Sequence, residues 1–370
     1  MIAPAPSTRM QRVAPAWTGA VLGPVRPPAI PAPVCTGPGL DALLGRFVLP
    51  HEGPAALREL VSQGHGALPL PGHGQTLLRW RVFARLGAQD LALAKLFESH
   101  ADALAIQAEL GATPQGDGTW GVWCAEPPAH RVHATIDPDD AGRLRLTGVK
   151  AWCSGAAHLS HALVSTWDAE GRPQLAAVAL DQPGVRVTGE GWHAIGMAGT
   201  DSVNVSFEDV VATPVGGPGE YVHRPGFLHG AAGVAACWYG AADRIARHLL
   251  QAARTREIDA HAQAHLGSID VALVQARAQL RLAAAEIDAH PDMACELPVQ
   301  RARLAVEHAA NIVLEHATRA LGAGPLCKDA GFGRLVADLP VFMRQSHAER
   351  DLAVHGRDVA RLAPELPWTL

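Results

Sequence analysis

The apolar residues of this 370-residue chain change their period twice. From Leu40 to Leu110 they recur at three and four: Leu93, Leu96, Phe97, Ala101 and Leu104 share one side of a helix. Between about 118 and 215 the repeat falls to two. Leu144 alternates with Leu146, Val185 with Val187, and Val203 with Val205 and Phe207. Leu163-Val164 and Leu175 to Leu180 are short apolar runs, and Asp-Pro, Gln-Pro-Gly and Glu-Gly turns separate the pieces. After Gly226 the helical period returns. Val234, Trp238, Ala241, Ile245 and Leu249 form one stripe; Ile269, Leu273, Ala276, Leu280, Ala283 and Ile287 form another. Third and fourth helices are expected over about 298–321 and 334–360.

Short strands at close spacing, with no helix between them, imply an antiparallel sandwich or barrel. Four amphipathic helices with short links imply an antiparallel bundle. The expected fold class is therefore α+β. An N-terminal helical domain spans 37–117, a β domain 118–216 and a C-terminal four-helix bundle 217–370. Residues 1–36 carry eight prolines and no helical period, so they are expected to form a disordered Pro/Ala-rich arm.

Composition narrows the function classes. Apolar residues reach 48% and charged residues 18%, which excludes a wholly disordered chain. Lys plus Arg is 31 against 36 Asp plus Glu, so no basic surplus calls for nucleic acid or anionic lipid. Six cysteines stand at 35, 124, 153, 237, 295 and 327. None forms a C-x-x-C pair, so they read as reduced, buried thiols of a cytoplasmic protein. No apolar run reaches the ~18 residues of a membrane helix, and no secretory signal is expected at the N-terminus.

Four segments carry a resemblance. They are Gly121-Val-Trp-Cys-Ala-Glu-Pro127, Leu146-Thr-Gly-Val-Lys-Ala-Trp-Cys-Ser-Gly155, the Gly196-Met-Ala-Gly-Thr-Asp run through Val210, and Leu266-Gly-Ser-Ile-Asp270 with its helix. In this order and spacing the chain resembles the acyl-CoA dehydrogenase family of flavoproteins over about residues 40–360. The resemblance implies FAD, an acyl thioester or other small-molecule substrate, and a homo-oligomer (dimer or tetramer) built through the bundle. It places Trp152 and Ser154 beside the flavin ring, the indole covering a face and the hydroxyl donating to a ring nitrogen. Ala125 and Glu126 fall in the first motif, where Ala125 replaces a hydroxyl residue. Arg256 matches an arginine that reaches the FAD of a neighbouring subunit. The Phe-Gly segment that follows it in the family is missing, which puts the grip on adenosine in question.

Dehydrogenation needs a carboxylate to take the proton α to the thioester. The family's Y-E-G-T base motif is absent. Aligning Asp338 puts Ser346 at the base position; aligning Arg344 puts Ala353 there. The alternative base site, Pro225 to Gly230, holds only His229 as a titratable residue. Glu349 and His347 lie close to the expected place, and one of them is expected to face the pocket, with Glu349 favoured. On one helix, residues two apart diverge by ~200°, so both cannot. Three readings stand: dehydrogenation of an acyl thioester, flavin-dependent monooxygenation through a histidine such as His347, or a non-catalytic binding or assembly protein. The bland reading of 345–351 is a charged helix face. His261 and His265, four apart, lack a third ligand, so no metal is expected. Gly64-His-Gly66 and Gly72-His-Gly74 read as loop punctuation.

Overall fold

The structure, a computed structural model, describes residues 46, 53–112, 118–362 and 368. The proline-rich arm and Cys35 lie outside the described residues. Three helices come first: α1 (Gly53–Ser62), α2 (Thr76–Gly87) and α3 (Leu91–Glu109). The Asp90 carboxylate starts α3 by accepting from Leu93 N at 2.7 Å, filling one orphan donor of the first turn. Leu93, Leu96, Phe97 and Ala101 are buried, as their spacing predicts. Glu98, Ser99, His100 and Gln107 are buried too. A helix covered all round runs through the interior rather than over a surface.

Seven strands follow among the described residues: β1 (Trp120–Trp123), β2 (Val132–Ile136), β3 (Leu144–Cys153), β4 (His161–Trp167), β5 (Pro173–Ala179), β6 (Val185–Val187) and β7 (Val203–Val215). They make a small closed barrel in the order β2-β3-β7-β5-β4. One residue pair, His133 with Trp167, joins β4 back to β2. Val203, Val205 and Phe207 are buried, so the period of two marks the inner face. The expected wholly antiparallel pairing needs correction, because β1 and β2 both meet β4 in parallel. The far edge of β1 is covered by α3: Val122 N donates to Ser99 Oγ at 2.8 Å and Trp120 N to His100 Nδ1 at 3.2 Å. Side chains of a helix thus satisfy an edge that would otherwise invite another strand.

Helices resume with α4 (Glu220–His223), α5 (Gly226–Thr255), α6 (Ala260–Ala289), α7 (Glu296–Leu321), α8 (Ala323–Lys328), α9 (Ala330–Phe342) and α10 (Glu349–Ala360). Trp238, Ala241, Ile245 and Leu249 face the core, as do Ile269, Ala276, Ala283 and Ile287. Where α2 crosses α5, a Cβ on Gly87 would strike the Cys237 carbonyl, and one on Gly240 the Ala84 carbonyl. The two glycines let the backbones touch. One apolar cluster runs from α1 through the barrel into these helices.

The single fourth helix expected over 334–360 is interrupted. The chain passes through a 3-10 turn at Met343–Gln345, an extended Ser346 and Ala348 at φ 48° before α10 begins. Ser346 Oγ donates to Glu307 Oε2 at 2.5 Å, and the Asp351 carboxylate accepts from His347 N at 3.0 Å. Those side-chain bonds compete with helix continuation. The cysteine expectation also needs amending: Cys153 and Cys237 are buried, but Cys327 is exposed. No helix among the described residues is long and apolar enough to cross a membrane.

Candidate active site

β3 slips out of register with β7 between Lys150 and Cys153. The slip leaves Trp152 at φ 57° and its side chain 52% exposed. A left-handed tryptophan costs on the order of 1–3 kcal/mol and persists only where neighbours over-determine it. Two residues on, Ser154 Oγ lies 2.8 Å from Ser202 Oγ, and Ser202 Oγ 2.8 Å from Thr200 Oγ1. Thr200 donates its one proton to the Met197 carbonyl at 2.8 Å. Proton counting then fixes the chain: Ser202 donates to Thr200, and Ser154 donates to Ser202. Ser154 therefore turns accepting lone pairs outward, opposite to the donor expected from the resemblance. The loop behind it is tied down by Gly155 N on the Thr200 carbonyl at 2.7 Å and by Trp123 Nε1 on the Ser154 carbonyl at 3.2 Å.

Glu126 is committed to the protein. It accepts from Lys150 Nζ at 2.6 Å, from Trp167 Nε1 at 3.0 Å and from Ser165 Oγ. Lys150 is wholly buried and reaches the Ala125 carbonyl as well, at 3.4 Å. Burial alone would raise the Glu126 carboxyl; the three donors outweigh it and hold it below its usual range. Ala125 and Glu126 thus anchor the exit of β1 to β3 and β4. Arg256 is exposed just past the end of α5, a helix about 45 Å long at 1.5 Å per residue.

The helix break decides the base. His347 and Glu349 are both exposed, and the His347 ring lies 3.4 Å from Asp351. The expectation that one of them turns inward is not met; Ser346 turns inward instead, onto Glu307. His229 is buried but donates Nε2–H to the Met293 carbonyl at 2.8 Å, and burial lowers its pKa. Asp338 accepts from Met197 N at 2.5 Å, and burial lifts its carboxyl to about 6. His265 meets His316 at 2.8 Å between α6 and α7, rather than acting with His261.

The pattern reading missed a row of charges on α3. Lys95, Glu98 and Asp102 lie on one face, and Lys95 Nζ bonds Glu98 at 3.0 Å with side chains 14% and 5% exposed. Burial raises the Glu98 carboxyl. Arg79 and Arg303 are its charged neighbours, the latter 5.0 Å from the Trp238 ring and donating to the Ala231 carbonyl. Near Asp102, but on other elements, stand Cys124 and Tyr221: burial pushes the Cys124 thiol up to about 11 and the Tyr221 phenol well above its usual value. Lys95, Glu98 and Asp102, spaced at three and four between apolar residues, were the available signal.

No family model matches the chain, and no curated protein matches it. Solved structures do. A nitrososynthase from Micromonospora carbonacea var. africana superposes at TM-score 0.72 and 19% identity, over 87% of this chain and 95% of that one. Dibenzothiophene monooxygenase from Paenibacillus sp. A11-2 gives 0.68 and 22%, over 83% and 89%. Methanesulfinate monooxygenase from Pseudomonas fluorescens gives 0.69 and 20%, over 87% and 93%. These are flavin-dependent enzymes of the acyl-CoA dehydrogenase-like fold, and at such identities the likeness shows that fold. The Paenibacillus enzyme has also been solved with FMN bound.

Proposed function

We infer that the chain is a flavin-dependent monooxygenase working with reduced FMN on a small molecule that carries an oxidisable heteroatom. The observation that carries this reading is the outward turn of Glu349, which leaves dehydrogenation without its carboxylate; His347 turns outward as well, so the oxygen-transfer reading stands without that histidine. Dehydrogenation has no base at the positions where its proton must be taken, whereas oxygen transfer to a heteroatom removes no carbon-bound proton. The solved relatives named for dibenzothiophene and methanesulfinate, both sulfur compounds, support the same direction. FMN is favoured over FAD because the adenosine-holding Phe-Gly segment is missing after Arg256.

The residues fit the group. An exposed indole beside an outward acceptor suits a flat ring system that carries an N–H and carbonyls. Bound FMN, once reduced, would supply the two electrons that let one oxygen atom of O₂ enter the substrate while the other leaves as water. Trp152 would cover such a ring and keep water off it. Ser154 would accept from the group, held as an acceptor by Ser202 and Thr200. The Glu126–Lys150 pair fixes the β1 exit against which the ring would lie. Arg256, exposed just past the end of α5, would be free to serve a second copy of the chain.

The test is binding and oxygen transfer. Full-length protein should bind FMN more tightly than FAD, read by fluorescence, and with NADH, a separate flavin reductase and an organic sulfide should form the sulfoxide in excess of what the reductase and flavin make without it. Trp152→Ala should weaken FMN by about tenfold, the size of a lost aromatic stack with its burial. Binding of neither flavin, or an enoyl product from an acyl-CoA with FAD bound, overturns the reading.

A further inference from the structure

A cleft of about 950 Å³ opens on the face of α3 opposite the Lys95–Glu98–Asp102 row. Its walls are α1, the loop after α1, α3 and the starts of β1 and β4. That volume is within the range of small-molecule sites, and the lining mixes apolar side chains such as Val61, Leu104 and Leu159 with hydroxyls, histidines and one arginine. Among the described residues no aspartate or glutamate lines it.

Three ring nitrogens in this wall have no hydrogen-bond partner among the described residues: His100 Nε2, Trp120 Nε1 and His161 Nδ1. His100 is 2% exposed and Trp120 1%. The His100 tautomer follows from its other nitrogen. Nδ1 accepts the Trp120 amide at 3.2 Å, so in the neutral ring the proton sits on Nε2. Burial holds that ring neutral, with a pKa of about 4. His100 Nε2–H and the Trp120 indole N–H are therefore two buried donors without acceptors. The His161 ring stacks on Trp120 with centroids 4.7 Å apart. Arg58, exposed on α1, adds a guanidinium to the cleft. Native interiors rarely leave such groups unpaired, and a cluster of them in one cleft points to an acceptor that comes from outside the chain.

We propose that this cleft is an accessory binding site for a small amphipathic carboxylate, its anionic head on His100, Trp120 and Arg58 and its apolar body against Val61 and Leu104. The site is separate from the flavin reading and does not depend on it. Donors and a cation meet the head, while Val61, Leu104 and Leu159 offer the body apolar contact. The cleft also lies within one strand of the candidate active site, since Trp120 begins β1 and Trp123, which bonds the Ser154 carbonyl, ends it.

The experiment is calorimetric titration of the full chain with 4-phenylbutyrate, against its neutral amide and 4-phenylbutylamine. The acid should bind at millimolar Kd or better, and the amide and amine at least about tenfold more weakly, the worth of a charge-assisted hydrogen bond. Arg58→Ala, on an exposed helix position, should weaken the acid about tenfold with unchanged unfolding midpoint and unchanged FMN binding. His100→Asn keeps the acceptor for Trp120 N and removes only the Nε2 donor; it should weaken the acid similarly. No binding of the acid, equal binding of the amine, or full affinity in both variants overturns the proposal. So does a high-resolution crystal structure grown with the acid that shows the three nitrogens bonded to ordered water, or the protein's own chain filling the cleft.

Discussion

Lys150 has no exposed surface, yet its ammonium has three oxygen partners, in Ala125, Glu126 and Ser165. Lys150→Met keeps the volume and deletes the donor, leaving Glu126 with two of its three bonds. Because Glu126 is still 27% exposed, water recovers part of the loss. The expected cost is about 1–3 kcal/mol in urea unfolding at pH 7. The pH dependence has a definite sign. Glu126 is depressed in the folded chain, so its contribution is present above the unfolded value of 4.5 and disappears as pH falls through the folded one. The gap between wild type and Lys150→Met should therefore narrow below pH 4.5. A gap that stays constant down to pH 3 would show that packing, not the ion pair, is what the substitution removes.

At the level of elements, α9 is docked by one buried acid and one glycine. Asp338 bonds Met197 N, and a Cβ on Gly196 would strike the Ala337 carbonyl. Asp338 is raised to about 6, first by burial and against the pull of that hydrogen bond. A raised acid stabilises the fold below its unfolded value near 3.8 and loses that contribution as pH rises through about 6. Asp338→Asn, which keeps an acceptor, should gain on wild type between pH 4 and pH 7 by roughly 1–3 kcal/mol, read from chemical denaturation at both ends. Gly196→Ala should cost a similar amount at every pH, since overpacking does not titrate.

Much of this level was legible in the chain. The stripes Trp238–Ala241–Ile245–Leu249 and Val203–Val205–Phe207 repeat over several turns or pleats, and burial follows repetition. The break between α9 and α10 was not, because Ser346 finds its partner 39 residues away in Glu307, and nothing in an alanine announces the positive φ of Ala348. That break is also why the base prediction turned outward. The charged row on α3 was hidden for a related reason. Charge on a helix reads as a wet face until Arg79 and Arg303 arrive from other elements to keep it dry.

Across the whole molecule, histidines set the response to acid. Burial is the leading cause that lowers His100, His161, His229 and His355. A base depressed in the folded state contributes stability above its unfolded value of 6.5 and loses it as pH falls. His100 alone, at about 4 and nearly sealed from water, accounts for roughly 2–3 kcal/mol of that loss. His100→Asn should therefore gain on wild type as pH falls from 7 to 5, read as the difference between the two thermal midpoints, because Asp338 pulls both proteins the other way over the same window. A difference that stays constant across that window would mean that the His100 ring is not held neutral by the fold.

The barrel's closure has a consequence in time. Between β2 and β4 the backbone contributes one residue pair, His133 with Trp167. Side chains reinforce it: the Arg131 guanidinium, just before β2, lies 4.6 Å over the Trp167 ring, and the same indole donates to Glu126 at the exit of β1. A seam of that kind breathes. Its amides should take up deuterium well before those of the long β3–β7 ladder, in a local opening that leaves the rest of the fold intact. Trp167→Ala should speed the exchange of β2 and β4 alone, so that the barrel behaves in solution as a curled sheet with a side-chain clasp.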